Sequence, residues 1–199
     1  MNIRQQKSAE TKNNLLNTAL ELFAAHGFEH VSIAQITKAC GVSKGTFYTH
    51  FQTKYDVILE KFNALDEYYI TVVKEIPNHL NASEKILALY DAQMTYLRDV
   101  IGKDFMRTVY TAAMTNQVAH NHYLIDPKRT IFQLMHTFIR EGIEQGEFRV
   151  DMDAQHIEHI IQRAMRANVY DWLIHTEFDL VDEMHRFTAT LLAGIKKGP

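Results

Sequence analysis

The sequence predicts an all-α protein: a three-helix head at the N-terminus followed by a bundle of about six helices. Three observations carry this. Apolar residues recur at helical spacing along most of the chain, and the strict apolar–polar alternation of half-buried strands is absent. Only 3 Pro and 8 Gly punctuate 199 residues, so long uninterrupted helices are possible. Hydrophobic residues make up 46 % and charged residues 23 %, ordinary values for a globular chain, which excludes disorder as the organising principle.

Taken in order, Ser8 to His26 form the first predicted helix. Leu15, Leu16, Ala19, Leu22 and Phe23 give it one apolar stripe, and Gly27 ends it. Ser32 with Gln35 three residues on has the form of a capping box, so a short second helix opens there. Ile33, Ile36 and Cys40 supply its buried side, and Gly41 stops it. Ser43 caps a third helix whose inner face is Phe47 and Phe51. Thr53 with Asp56 caps a long fourth helix from Lys54 to about Ile76, which Pro77 terminates. Further helices are predicted over Ser83–Ile101, Lys103–His120, Lys128–Gln145, Asp153–His175 and Asp179–Ile195.

The stretch from Ser32 to Lys54 therefore reads as two short helices around a tight turn, followed by the start of another. With Phe47 and Phe51 turned inward, the third helix is left with Lys44, Thr46, Tyr48, Thr49 and His50 as its outer face. These are donors of the kind that meet phosphates and base edges. The arrangement is a helix-turn-helix, whose second helix enters the major groove of duplex DNA.

Gly41, Val42, Ser43, Gly45, Thr46, Phe47, Tyr48, His50, Phe51 and Lys54 spell G-V-S-x-G-T-F-Y-x-H-F-x-x-K. This resembles the DNA-binding domain of the TetR family of bacterial transcriptional regulators. The upstream LLNTALELFAAHGFEHVSIAQI is similar to that family's first helix and the entry to its second. The resemblance implies a helix-turn-helix domain over residues 1–53 and an effector-binding and dimerisation domain over 54–199. It also implies a homodimer on a palindromic double-stranded DNA operator, a repressor released by a small-molecule effector that moves the fourth helix. Tyr48, Thr46, His50 and Lys54 are then expected at phosphates, and Lys44, Gly45 and Thr49 at base edges. Ser32 belongs to the same surface. Gln35 serves either role or is consumed by the cap.

Charge distribution agrees with that division. The whole chain carries −3, yet residues 1–54 set Arg4, Lys7, Lys12, Lys38, Lys44 and Lys54 against Glu10, Glu21 and Glu29. The head is thus +3 and the remainder −6, so phosphate contact falls to the head. Cys40 is the only cysteine, which excludes an intramolecular disulfide and fits a reducing cytoplasm. The first residues lack the apolar core of a signal peptide, and no run approaches the ~20 apolar residues of a membrane span.

Two patterns mark the body. Ile157, Ile161, Met165 and Trp172 on one helix, with Phe187 and Leu191 on the next, form a stripe wider than intramolecular packing needs. A four-helix dimer seam would use it. Tyr68, Tyr90, Met94, Phe105, Tyr110, Met114, Met135 and Phe138 are large, soft side chains suited to an adaptable pocket for an apolar or aromatic effector. Asp91, Arg98, Arg107 and Asn116 are candidates for orienting its polar group.

Eleven His raise the question of a metal, but no Glu-x-x-His pair or zinc spacing occurs among them, His120 and His122 or His156 and His159 included. No phosphate-cradling glycine loop appears either, so neither catalysis nor a cofactor is expected. Two other readings stay open. One is an activator or partner-controlled DNA-binding factor without a small ligand. The other is a helical-bundle metal protein or enzyme carrying a basic head.

Overall fold

A computed structural model describes residues 3–115 and 124–197. Among these residues the chain forms nine α-helices and one π-helical turn, with no strand beyond a single antiparallel bridge between Phe148 and Lys196. The all-α expectation holds.

The head helices are α1 (Ile3–His26), α2 (Ile33–Ala39) and α3 (Lys44–His50), followed by α4 (Lys54–Glu75). The first starts at Ile3, ahead of the expected Ser8. Nothing between Arg4 and Lys7 breaks a helix, and each added residue costs little once the helix exists. Then come α5 (Ala82–Tyr96), a π turn over Leu97–Ile101, and α6 (Lys103–Thr115). The predicted helix to Ile101 thus changes hydrogen-bond register at Leu97 and closes at Gly102. Asn81 caps α5 by accepting from the Glu84 amide, while the Glu84 carboxylate accepts from the Asn81 amide. The continuation expected to His120, together with Asn116, His120 and His122, lies outside the described residues. The remaining helices are α7 (Thr130–Glu144), α8 (Ala154–Ile174) and α9 (Leu180–Ile195).

The chain divides into two compact units, Met1–Ala64 with Asp104–His120, and Leu65–Lys103 with Asn121–Pro199. In the first, Leu15, Ala19 and Phe23 of α1 form a core with Phe28, Val31, Ile36, Phe47 and Phe51. The first half of α4 adds Tyr55, Val57, Ile58 and Phe62, and Phe62 meets Phe105 of α6 at 5.4 Å between ring centres.

In the second unit α5 packs against α7 and α9, and α8 closes the ring by packing against the same two helices. Gly142 of α7 is required at one close approach. A Cβ there would stand 2.3 Å from the Phe148 ring and 2.9 Å from the Ala82 Cβ. Phe148 is held by its own loop. The Arg149 amide donates to the Ile195 carbonyl and the Lys197 amide to the Glu147 carbonyl. The Glu147 carboxylate in turn accepts from the Ala82 and Ser83 amides and the Ser83 hydroxyl, capping α5 from a distant part of the sequence.

Candidate nucleic-acid interface

The local sequence builds the turn between α2 and α3 from both sides. At the start of α2 the Ser32 Oγ accepts from the Gln35 amide at 3.2 Å, and Gln35 Oε1 accepts from both the Ser32 amide and hydroxyl at 2.8 Å. The cap therefore consumes the carbonyl end of Gln35, leaving the amide NH2 as its donor end. At the close of α2, Gly41 adopts φ +67°, a region costly to any residue with a Cβ. The Val42 amide donates back to the Thr37 carbonyl and the Gly41 amide to the Lys38 carbonyl, a Schellman closure. Ser43 then caps α3, accepting from the Thr46 amide at 3.1 Å, with the Ser43 and Thr46 hydroxyls 2.9 Å apart.

This fixes which face of α3 is buried. Phe47 is fully buried, 5.6 Å from the Phe51 ring, and Ile36 beneath it is equally inaccessible. Lys44, Gly45, Tyr48 and Thr49 are exposed, and Thr46 and His50 are half-buried. Tyr48, 56 % exposed, stands edge-on to Phe47. Thr49 donates to the Gly45 carbonyl, which ties its hydroxyl to the helix until something better is offered.

Lys54, at the start of α4, has partners within the head. Its Nζ donates to the Phe28 carbonyl at 2.8 Å and lies 4.6 Å from the centre of the Phe28 ring. Burial holds its pKa below the usual lysine value, partly offset by the Glu29 carboxylate. Cys40 is half-buried with its thiol toward the Asn14 carbonyl at 3.7 Å, as a small packing residue would be.

The body candidates scatter. Tyr90, Met94, Met135 and Phe138 are buried in the second unit. Tyr68 there is half-buried and stacked on Tyr96 at 4.4 Å. Phe105 and Tyr110 are half-buried in the first unit, and Met114 is 73 % exposed. Asp91 pairs with His185 at 2.8 Å, Arg98 with Asp99 at 2.7 Å, and Arg107 with Asp104 at 2.9 Å. Asp91, Arg98, Asp179, Val181, Asp182 and His185 line an open cavity of about 330 Å³.

The seam candidates differ in exposure. Ile157, Ile161, Met165 and Trp172 are 6 % exposed or less within one chain, because the wide apolar stripe on α8 is already covered inside the second unit. Leu191 is half-buried and Phe187 is 46 % exposed. The exposed apolar side chains of α8 are instead Tyr170 and Ile174.

Sequence reasoning missed a polar interior. Arg129, 8 % exposed, pairs with Asp66 at 2.8 Å. Beside that pair stand Tyr69 and Gln93, both buried, whose hydroxyl and Oε1 lack a hydrogen-bond partner among the described residues. A Tyr and a Gln among apolar neighbours carry no spacing signal, so only the fold brings them together. No group of three His, Cys, Asp or Glu side chains converges as a metal site among the described residues. No described helix is long and apolar enough to cross a membrane.

Residues 15–60 match the family model described as bacterial regulatory proteins, tetR family. The chain is 34 % identical over 97 residues to the HTH-type transcriptional regulator TcmR of Streptomyces glaucescens, covering 49 % of this chain but only 43 % of that relative. It is 23 % identical over 192 residues to the fatty acid metabolism regulator protein of Bacillus subtilis strain 168, covering 91 % and 93 %. Among solved structures, one from Saccharomonospora viridis, described as a transcriptional regulator in complex with choline, superposes with a TM-score of 0.67. It is 25 % identical and covers 96 % of this chain and all of that one.

Proposed function

Through its DNA-binding domain this chain belongs to the tetR family of bacterial regulatory proteins, and on that premise we propose that it acts as a homodimeric, effector-released repressor of a palindromic operator. The observation carrying this reading is the outward face of α3: polar and accessible where Phe47 behind it is fully buried. A helix pinned at both ends of a tight turn presents that face as a fixed surface, which sequence readout requires. Lys44, Gly45 and Thr49 take base edges, Gly45 by letting the backbone approach, and Thr46, Tyr48 and His50 take phosphates. Residues 1–53 carry this work, and residues 54–199 carry effector binding and dimerisation.

Two copies are needed because one short helix makes too few contacts for strong specific binding. Heads about 34–36 Å apart read two half-sites on one side of the duplex. The outer faces of α8 and α9, with Tyr170, Ile174 and Phe187, supply the apolar surface for pairing. The effector is a small apolar or aromatic molecule bound in the body. A relative named for fatty acid metabolism and a neighbour solved with choline support a small-molecule response without naming this chain's ligand. An effector that binds the DNA-incompetent conformation better depopulates the competent one. Switching occupancy from nearly full to nearly empty takes about 5.5 kcal/mol of differential affinity.

The test is selection of bound fragments from the genomic DNA pool, followed by gel-shift titration of the selected duplex. A palindromic site bound in preference to random duplex, and released by a compound, is the expected result. An absence of preference for any duplex at low ionic strength would remove the reading.

A further inference from the structure

We propose that Tyr69 and Gln93, beside the Arg129–Asp66 ion pair, form the polar end of the effector site, and that they receive a neutral hydroxyl carried on an apolar body rather than a carboxylate or a quaternary ammonium. The inference rests on the effector-released reading above and names the chemistry of the molecule that reading requires.

Asp66 and Tyr69 lie one helical turn apart on α4, Gln93 comes from α5, and Arg129 is the residue that precedes α7. All four belong to the second unit. Their surroundings are apolar. Leu65 and Val72 lie about one turn to either side of Tyr69, Leu89 and Leu97 about one turn to either side of Gln93, and all are buried. The Arg129 guanidinium stands 5.8 Å from the centre of the Phe132 ring. It is matched by the Asp66 carboxylate at 2.8 Å, so the pair brings no net charge. Tyr69 is fully buried and Gln93 is 3 % exposed. Even so, the Tyr69 hydroxyl and Gln93 Oε1 make no hydrogen bond of good geometry among the described residues.

These groups define what would complete them. The Arg129 guanidinium and the Gln93 NH2 beside the phenol only donate, whereas the phenol's own proton goes to no acceptor among the described residues. Burial raises the pKa of Tyr69 far above the ordinary tyrosine value, so that proton stays in place to be donated. Gln93 Oε1 only accepts, and it belongs to the amide that stands beside the phenol. One small group that accepts from Tyr69 and donates to Gln93 therefore satisfies both, and a hydroxyl does so. A carboxylate only accepts. It would leave Gln93 Oε1 unsatisfied and set a second negative charge beside Asp66, where the guanidinium is already paired. A quaternary ammonium neither donates nor accepts, so both atoms would stay as they are. Two of the four residues lie on α4, the helix that the effector has to move.

The discriminating experiment compares probes that share an apolar body: decanol against decanoate and decyltrimethylammonium, and naphthol against naphthoate. Binding to the full chain is read by calorimetry and by the melting point of the Trp172 fluorescence signal. Each alcohol is expected to bind about tenfold more tightly than the charged probes of the same body, the size of one buried hydrogen bond. In Gln93→Leu and in Tyr69→Phe that preference is expected to disappear while binding of the charged probes holds. If Gln93→Leu does not fold, Tyr69→Phe carries the comparison alone.

Charged probes that bind as tightly as the alcohols overturn the proposal, and so does an absence of binding by either alcohol. Alcohol binding unchanged in both variants overturns it too, and would make the cluster a site for buried water only. Release of the selected duplex is measured separately. Alcohols that bind through Tyr69 and Gln93 yet never release the duplex would uphold this subsite and remove the effector-released reading. Release by the carboxylates alone would keep that reading and overturn the subsite.

Discussion

In the unit that carries the head, the polar side chains that matter close short circuits at the surface: Ser32 with Gln35, Ser43 with Thr46, Thr53 with Asp56. Its described buried polar residues are only Thr37 and Thr108. The other unit buries Ser83, Gln93, Arg129, Gln162, Asn168 and Thr188, and among the described residues the three buried side-chain atoms left without a hydrogen bond, on Tyr69, Gln93 and Thr188, are all there. Burying an unpaired polar group costs free energy, so a fold retains it only where something recovers that cost. The contrast teaches that the first unit meets its partner on the outside. The second has polar chemistry to offer on the inside, where the proposed effector would need it.

The largest way to break this comparison is to collapse the head alone. Phe47→Ala removes a fully buried ring from the hinge of α2 and α3 and is expected to cost about 3–5 kcal/mol. Duplex binding should vanish. Trp172, the single tryptophan, lies buried in the second unit and reports on that unit by fluorescence. Its unfolding midpoint should move far less than DNA binding does. A parallel loss of both signals would show that the two units do not fold as separable bodies.

Gly142→Ala makes the reciprocal test. The new methyl would meet the Phe148 ring and Ala82 at distances that force a shift of backbone-anchored groups. Overpacking of this kind costs about 1–3 kcal/mol. The Trp172 midpoint should fall by several degrees, at ~2–4 °C per kcal/mol for a chain this long. Operator affinity measured well below that midpoint should hold. If affinity fell in step, the head would depend on the packing of α7 against α5.

Lys44→Ala sharpens the first half of the comparison. A base-edge contact is worth about 1–3 kcal/mol of discrimination, so preference at particular base pairs should relax while other positions keep theirs. An equal loss on every sequence would make Lys44 a phosphate contact. Tyr48→Ala, by contrast, should weaken all duplexes alike.

How far these features could be read beforehand follows the same division. The head was legible because its determinants are local: a Ser and a Gln three residues apart, a glycine at the turn, two phenylalanines four residues apart. Each acts within one helical turn, and the structure carries all of them out. What the sequence could not show was that Lys54 meets Phe28, since that contact spans the whole of α2 and α3. In the body, helices were legible from periodicity, with ends shifted where a cap such as Asn81 was overlooked. Side-chain roles were not. For the α8 stripe, periodicity shows that a face is apolar and not what covers it. Glu147 as the cap of α5, and Tyr69 beside Arg129, depend on tertiary packing alone.

The smallest expected effect bears on the interior. Tyr69 is fully buried, and its hydroxyl makes no hydrogen bond of good geometry although Gln93 and the Arg129–Asp66 pair stand beside it. Burial pushes its pKa far above the ordinary tyrosine value, so the phenol stays neutral and can donate at any physiological pH. Tyr69→Phe deletes only that oxygen. An unsatisfied buried group costs about 1–3 kcal/mol, so the ligand-free variant should be more stable by about 1 kcal/mol. A protein of this size would then melt ~2–4 °C higher. If the hydroxyl is retained for an effector, the melting-point rise produced by a compound that releases the operator should shrink in the same variant. A melting point that falls on Tyr69→Phe would mean the hydroxyl is already satisfied in the free protein, and the interior of this unit would lose its claim to a ligand's polar group.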